Sequence, residues 1–242
     1  MIVFILLFQY LIAPANWGNF LFDQSSAVFY NPAMLNEKFT FSALYGELYS
    51  IPNLNFFSSC VSFRRMGFGA QVINSDDLYV SSINLGYSLS LQDRIKIGIS
   101  GELRQVFIEG EPGVSSGFSM GAGFIVPYGK ALLFGISLHN VVVTDESVNE
   151  TGEIAVSSKM GILNDLMLYF DIFYNAVSNV SYRFLMEYPI WRNLKFTLGL
   201  RSSPVLYNFG ISFRSFVNFS YIVSLHPYLG LSHFFSLQKS SL

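Results

Sequence analysis

Apolar residues alternate with small or polar residues over most of this chain. In residues 80–91 every second position is apolar: Ile83, Leu85, Tyr87, Leu89 and Leu91. Successive side chains of a β-strand point to opposite faces, whereas an amphipathic helix repeats every three or four residues. The pattern therefore predicts strands with one apolar face and one polar face.

The same pattern predicts an all-β chain with about 14 strands, most near the roughly 9 to 11 residues that a tilted strand needs to cross a bilayer. The predicted strands cover residues 38–48, 54–65, 67–74, 80–91, 94–107, 117–128, 131–142, 153–163, 166–175, 179–188, 193–202, 205–214, 216–225 and 228–238. We expect residues 38–242 to form a transmembrane antiparallel β-barrel, with the apolar faces in lipid and the polar faces in a narrow lumen.

The connections between these strands alternate in length. Those that follow the even-numbered strands are nearly all tight. Four of those that follow odd-numbered strands are longer, at residues 49–53, 75–79, 108–116 and 143–152. Bacterial barrels have short periplasmic turns and longer outer loops. The alternation predicts an even number of strands in a bacterial outer membrane, with both mature termini in the periplasm.

Composition excludes a water-soluble globule. The 242 residues are 51% hydrophobic and only 12% charged, against roughly 25% charged residues in soluble domains. A soluble β-sandwich also alternates, but it needs polar outer faces, and here one face is filled with Phe, Tyr, Leu and Ile. Beyond its N-terminus the chain has no run of about 20 apolar residues, so spanning helices are not predicted. A closed barrel is the other architecture that satisfies backbone hydrogen bonds in lipid.

Residues 1–15 match a signal peptide. Residues 2–12 are a compact apolar run, and Ala13-Pro14-Ala15 supplies a small-x-small cleavage pattern. No Lys or Arg precedes the run, which leaves a retained membrane helix as the alternative, although the run is short for a span. Cleavage after Ala15 would give a mature chain that begins at Asn16.

Residues 16–37, between the cleavage site and the first strand, show no strand alternation. They contain Phe29, Tyr30, Asn31, Pro32 and Ala33 in succession. Pro32 restrains its neighbour and removes a backbone donor, so the Asn31-Pro32 step predicts a rigid turn. We expect this segment to fold into the lumen as a plug, or hatch, which would leave the lumen occupied rather than open.

Two stretches resemble the FadL-like and PorV/PorQ-like outer-membrane proteins. Residues 26–35, SAVFYNPAML, fit an (S/A)xxFYNPAxL signature, and residues 221–237, YIVSLHPYLGLSHFFSL, look closer to the PorV/PorQ end. The resemblance implies a barrel of about 14 strands with an N-terminal hatch. The chain is short for such a family, so long outer loops that gather ligand are largely missing.

The resemblance implies two alternative functions. A PorV/PorQ-like barrel would act in protein secretion or surface assembly as a membrane-anchored docking component, and the C-terminal stretch favours this function. A FadL-like barrel would be a channel for uptake or export of hydrophobic small molecules. The channel predicts an apolar interior pocket and a lateral opening, which we expect at the short third strand with Gly67 and Gly69. Docking predicts no through-channel and binding at residues 108–116 and 143–152.

Charged residues fall mainly on the predicted lumen side. They are Arg64, Lys96, Glu102, Arg104, Lys159, Asp171, Arg183, Glu187, Lys195, Arg201 and Arg214. Charges inside a barrel line a pore, bind a solute or pair with one another. We expect a paired network that also anchors the plug, with Asp171, Arg183 and Glu187 pairing across adjacent strands.

The sequence predicts neither catalysis nor a metal site or cofactor. His139, His226 and His233 are dispersed, and none accompanies a nucleophile motif such as G-x-S-x-G. They and the single cysteine, Cys60, lack the spacing of metal ligands, and Cys60 is expected to be a small lumen-side residue. The expected partners are outer-membrane lipid and either secretion-machinery proteins or a hydrophobic solute. A net charge of −2 gives no argument for nucleic acid.

Overall fold

Fourteen antiparallel strands close into a barrel in the computed structural model, which confirms the predicted fold class. The structure describes residues 26–91, 95–110, 114–129, 131–139, 152–162, 166–175 and 179–240. The strands are β1 (Thr40–Glu47), β2 (Asn55–Phe63), β3 (Met66–Asn74), β4 (Leu78–Leu91), β5 (Ile95–Ile108), β6 (Ser115–Tyr128), β7 (Leu132–His139), β8 (Glu153–Gly161), β9 (Met167–Asn175), β10 (Asn179–Trp191), β11 (Leu194–Ser202), β12 (Val205–Phe213), β13 (Asn218–His226) and β14 (Gly230–Ser240). Each strand pairs with its neighbours in sequence, and β1 pairs with β14 to close the sheet.

The alternation along each strand sorts side chains between the lumen and the outer surface. In β4, Ser82 and Asn84 are buried in the lumen, whereas Ile83 and Leu85 point outward, with Leu85 60% exposed. The outward surface is a continuous apolar belt because the same parity holds around the barrel. No helix among the described residues is long and apolar enough to cross a membrane.

The two ends of the barrel can be named from the strand directions. Thr40 at the start of β1 pairs with Ser240 at the end of β14, so both lie at one end, called here the terminal end. The opposite end, where β1 turns into β2 and β13 turns into β14, is called the far end.

Residues 26–36 form a plug that lies inside the barrel. The plug consists of a short helix, α1 (Ala27–Tyr30), and a 3₁₀ turn (Pro32–Met34). Asn31 joins them, because its backbone N–H donates to the Ala27 carbonyl at 3.0 Å and its side chain accepts from the Ala33 N–H at 3.1 Å. Pro32 begins the 3₁₀ turn. A backbone N–H at this first position has no acceptor within the turn, so proline loses no hydrogen bond there. The predicted signal peptide and residues 16–25 of the predicted plug lie outside the described residues.

The strand bounds differ from the predicted ones by up to three residues, and two of these differences follow from the observed pairing. β6 begins two residues early, at Ser115, because Ser115 still pairs with Val106 of β5. β10 continues through Pro189 to Trp191, a stretch predicted as a turn, and the pairing with β11 shifts register between these two residues. Proline cannot donate a hydrogen bond to the strand ladder, so it is tolerated only where the pairing is irregular, as at this strand end.

Candidate functional site

Glycines on β3, β5 and β6 form the seat of the plug. A side-chain carbon added to Gly69 would overlap the ring of Phe29, one added to Gly98 would overlap the backbone of Pro32 and Ala33, and one added to Gly123 would overlap the Asn31 side chain. The absence of a Cβ thus lets the plug lie directly against the strand backbones.

Three hydrogen bonds join the plug to the barrel wall. His139 Nε2 of β7 pairs with the Tyr30 carbonyl at 2.5 Å, and the Ser88 hydroxyl of β4 donates to the Leu35 carbonyl at 2.6 Å. The Arg65 backbone N–H, in the turn between β2 and β3, donates to the Asn36 carbonyl at 2.7 Å. The plug is therefore hydrogen-bonded to two strands and one turn of the wall.

The third strand is not a lateral opening, contrary to the prediction. β3 pairs with β2 from Met66 to Asn74 and with β4 over the same residues, without a register shift. Gly67 and Gly69 instead give room to the plug, and a Cβ at Gly67 would lie 2.7 Å from Leu35 Cδ2. The small residues that suggested a gap in the wall accommodate an internal segment.

The lumen is not uniformly polar, and its far half holds a cluster of apolar side chains. This far apolar cluster comprises Leu44, Leu48, Tyr49, Leu54, Phe56, Ile73, Leu78, Val80 and Phe234, with Val106, Ile108 and Ile222 at its edge. Every member of the first group is less than 9% exposed. Apolar side chains facing inward are unusual for an outer-membrane barrel, whose lumen is ordinarily polar.

The turn from β1 to β2 folds inward over this cluster. Leu48 and Tyr49 are buried, and the Tyr49 N–H donates to the Ser232 hydroxyl at 2.8 Å. Tyr49, Ser50 and Asn53 have φ of 56°, 53° and 63°, a region that residues other than glycine rarely adopt. The strained turn covers one side of the far end.

Two small cavities lie between the far apolar cluster and the plug. The cavity beside the far apolar cluster, called here the upper cavity, has a volume of about 20 Å³ and is lined by Phe56, Ile73, Val80 and Arg104 among others. The cavity beside the plug, called here the lower cavity, has a volume of about 10 Å³ and is lined by Phe29 of the plug together with residues that include Glu102 and His139. A water molecule needs roughly 10 to 15 Å³, so each cavity holds about one water.

The Glu102–Arg104 ion pair of β5 separates the two cavities. Arg104 Nη2 lies 2.7 Å from Glu102 Oε1, and the two side chains are 15% and 18% exposed. Arg104 lines the upper cavity and Glu102 the lower one. The path from the far apolar cluster to the plug is therefore apolar at first and polar near Phe29.

A second charged group lies on the β9–β11 wall. Arg183 Nη2 lies 2.6 Å from Asp171 Oδ2, and both side chains are almost fully buried, at 3% and 1%. Arg201 stands directly opposite Arg183 in the strand register. The two guanidinium carbons lie 4.8 and 5.4 Å from the centre of the Phe173 ring, within the range of cation–π attraction.

The predicted pairing of Asp171 with Arg183 is thus present, but Glu187 has other partners. Glu187 Oε2 accepts from the Tyr169 hydroxyl at 3.2 Å and lies 3.7 Å from Lys195 Nζ. Lys96 and Lys159 lie on the lumen side of β5 and β8, and the Lys159 ammonium lies over the Tyr169 ring.

Arg64 and Arg214 lie outside the strands, which differs from the prediction that they face the lumen. Arg64 occupies the β2–β3 turn with φ of 51°, and its guanidinium lies over the Phe63 ring. Arg214 follows the end of β12, is exposed, and its N–H donates to the Asn193 carbonyl. Both lie at the terminal end. The apolar–polar alternation of the sequence continues beyond the last paired residue there, so it wrongly places both side chains in a strand.

The three histidines do not come together. His139 holds the plug, and His226 is a buried far-end residue whose Nδ1 accepts from the N–H groups of Tyr228 and Leu229. His233 points to the outer surface, where the Tyr221 hydroxyl lies 2.8 Å from its Nδ1. Within the described ranges no three His, Cys, Asp or Glu side chains could hold a metal ion. Cys60 is buried on the lumen side beside Val28 and Phe29.

The far apolar cluster was missed in the sequence, although a local signal exists. Residues 54–57, LNFF, and residues 43–45, ALY, place apolar side chains on both faces of one strand. Such a break in alternation marks a strand buried on both sides.

These features define a plugged outer-membrane β-barrel with a partly apolar lumen. No protein-family model matches the chain, and no curated protein matches its sequence. Solved structures match the fold. The Ralstonia pickettii toluene transporter TbuX superposes with a TM-score of 0.70 at 12% identity, over 89% of this chain and 93% of that chain.

Two further structures extend the similarity. The CymD monoaromatic hydrocarbon channel gives a TM-score of 0.66 at 12% identity, over 90% of this chain and 93% of its own. A Pseudomonas aeruginosa FadL homologue gives 0.62 at 10% identity, over 93% and 97%. The chain therefore shares the barrel fold of these three structures, of which TbuX is named as a toluene transporter and CymD as a monoaromatic hydrocarbon channel.

Proposed function

We propose that this barrel is a channel that carries small hydrophobic molecules across the bacterial outer membrane. The far apolar cluster carries the proposal, because a water-filled pore or an inert membrane anchor does not require buried apolar side chains in its lumen. A toluene transporter and a monoaromatic hydrocarbon channel share the fold, which supports an apolar solute.

In this proposal the far end faces outward and both termini face the periplasm, as the turn lengths predict. Lipid surrounds the outer belt. The solute enters at the far end, displaces side chains of the far apolar cluster and reaches Phe29 of the plug. The two cavities hold about one water each, at about 20 and 10 Å³. Passage therefore requires the plug to shift from its glycine seat.

The docking function of a PorV/PorQ-like barrel is the weaker proposal. It depends on the C-terminal sequence stretch and on residues 108–116 and 143–152, most of which lie outside the described residues. A hydrophobic channel requires apolar side chains in the lumen, whereas a docking barrel does not. We therefore place transport of a hydrophobic solute ahead of protein secretion.

The channel is tested by toluene uptake into cells that make the Ile73→Asn variant. Ile73 is 3% exposed in the far apolar cluster, so an amide there places an unpaired polar group on the route. We expect uptake to fall about tenfold, the effect of a polar group without a partner in an apolar site. Ile73→Leu is the matched control and should transport normally.

Two results would contradict the channel. One is equal toluene uptake by the wild type, Ile73→Asn and cells without the protein. The other is rapid entry of sugars into vesicles that contain the wild type, which would indicate an open hydrophilic pore. A stoichiometric co-purifying protein together with absent toluene uptake would support docking instead.

A further inference from the structure

The two ends of the barrel carry opposite charges. The basic residues of the terminal end are Lys38, Arg64, Arg65, Lys96, Lys159, Arg192, Lys195, Arg214 and Lys239. The turns of the far end carry the exposed residues Asp76, Asp77 and Glu109, and their described residues include no Lys or Arg. An anion is therefore attracted to the terminal end and repelled by the far end.

Three of the basic residues, called here the terminal cation cluster, lie together at the edge of β10 to β14. They are Arg192 in the β10–β11 turn, Arg214 after β12 and Lys239 near the end of β14. The Arg214 N–H donates to the carbonyl of Asn193, the residue after Arg192, at 2.7 Å. Lys239 Nζ lies 3.9 Å from the centre of the Phe216 ring, two residues after Arg214. These contacts join the three residues into one surface.

The strand register supports this grouping. One row of register partners crosses the five strands at the terminal end, from Trp191 through Leu194, Phe213 and Phe219 to Leu237. Adjacent strands lie about 4.8 Å apart, so the row of four spacings is roughly 19 Å long. The edge is wide enough to hold a phospholipid headgroup.

The terminal cation cluster has no acidic partner. Within the described ranges, none of its three side chains forms an ion pair. Residues 188–195, 213–219 and 236–240 contain no Asp or Glu. Glu187, the nearest carboxylate along β10, lies on the lumen side and 3.7 Å from Lys195 Nζ. The positive charge of the cluster is therefore available to an anion outside the barrel.

Exposed aromatic rings lie beside these cations. Trp191 is 72% exposed and Phe216 is 79% exposed, next to the outward-facing rings of Phe213 and Phe219. Aromatic side chains of membrane proteins concentrate where the hydrocarbon region meets the headgroups. A small soluble anion gives no reason for such rings, whereas a lipid contacts both the rings and the cations. The edge therefore fits an anionic lipid.

We propose that the terminal cation cluster binds the phosphate of an anionic phospholipid, with Trp191 and Phe216 packed against the start of its acyl chains. The guanidinium groups of Arg192 and Arg214 present paired N–H donors that match phosphate oxygens, and Lys239 adds a point charge. Phospholipid forms the inner leaflet of the bacterial outer membrane. The site thus places the terminal end toward the periplasm, as the turn lengths predict, and it acts independently of the transported solute.

Native mass spectrometry of the full chain tests the site. The protein is released from micelles that contain equal amounts of phosphatidylglycerol and phosphatidylcholine with the same acyl chains. We expect the wild type to retain mainly phosphatidylglycerol. Arg214→Gln/Lys239→Gln should lower the ratio of bound phosphatidylglycerol to bound phosphatidylcholine about twentyfold, because each Lys or Arg near a lipid anion contributes about fivefold.

Two further variants separate a site from general charge. Arg64→Gln/Lys96→Gln also removes two cations from the terminal end, but from the β2–β3 turn and the lumen side of β5. It should keep the wild-type ratio. Arg214→Lys/Lys239→Arg keeps both charges and should also keep most of the preference. Heat-dependent migration on a denaturing gel checks that each variant is folded.

Several outcomes would overturn the site. One is a wild type that retains both lipids equally, and another is an equal loss of preference in the Arg214/Lys239 and Arg64/Lys96 variants. Displacement of phosphatidylglycerol by lipopolysaccharide would show that the cluster faces the outer leaflet. A co-purifying protein that only the Arg214→Gln/Lys239→Gln variant loses would show that the edge docks a protein. Toluene uptake is measured separately, so failure of this site leaves the transport proposal in place.

Discussion

Two walls of the lumen are filled in opposite ways. On β3 to β6, glycines remove side chains so that the plug backbone lies against the strands. On β9 to β11, long charged side chains reach inward and pair around Phe173. Both walls have the same apolar outer face. The difference teaches that the lumen-side residue, and not the alternation itself, decides whether a barrel wall holds a segment of chain or a charged network.

The strongest test of this comparison removes one partner of the buried ion pair. Asp171→Ala leaves Arg183, 3% exposed, without its carboxylate. We expect the free energy of unfolding in lipid vesicles to fall by about 3–5 kcal/mol, as for other buried pairs that lose one partner. Urea titration monitored by gel mobility measures it.

Two controls show whether burial causes that loss. The double variant Asp171→Ala/Arg183→Met should recover most of the stability because it removes the buried carboxylate and its guanidinium partner together. Lys195→Met breaks a pair in which Lys195 is 42% exposed, so solvent screening should limit the loss to about 0–1 kcal/mol. Equal losses for Asp171→Ala and Lys195→Met would remove the distinction between the buried pair and the exposed one.

The glycine wall is tested by Gly98→Ala. The new methyl group would overlap the backbone of Pro32 and Ala33, so the plug must shift or the strand must bend. We expect a loss of about 1–3 kcal/mol, typical of overpacking, and faster hydrogen exchange in residues 26–36.

Gly101→Ala is the matched control on the same strand. Gly101 points outward, and a Cβ there would lie 3.4 Å from the Phe118 ring, an ordinary contact. Its plug should exchange at the wild-type rate. If Gly98→Ala also leaves plug exchange unchanged, the plug does not occupy the glycine seat in the membrane.

The smallest expected effect concerns the bond that joins the plug to β7. His139→Leu removes the partner of the Tyr30 carbonyl. A lost hydrogen bond of this kind is worth about 1 kcal/mol, so plug exchange should become about fivefold faster. His233→Leu, which removes a histidine from the outer surface, should not change it. Equal effects of the two substitutions would show that the His139 bond does not hold the plug.

Much of the fold could be predicted from the sequence, and the charged pair in part. Asp171 and Arg183 share one face of adjacent strands, so the alternation predicts that they can meet. The same reasoning assigned Glu187 to this group, but its register partner across β10 and β11 is Thr197, and Lys195 lies diagonally. Pairing between charges depends on register, which alternation alone does not give.

The role of the glycines on β3 could not be predicted from the sequence. Glycine in a strand often marks a bend or a close approach of another segment, so Gly67 and Gly69 by themselves also predict a weak point in the wall. Sequence could not decide between these meanings. The approach is made by Leu35 and Phe29, more than 30 residues earlier in the chain.

By itself, the sequence determined the strands, their outer faces, the closed barrel and the turn at Asn31-Pro32, because each depends on a backbone period of two or on proline geometry. Only the tertiary structure decided that the plug rests on glycines, that the far half of the lumen is apolar and that Arg201 joins the Asp171–Arg183 pair. These contacts depend on strand register and on residues far apart in the sequence, and the closure and stagger of the barrel set which of them share the same lumen height.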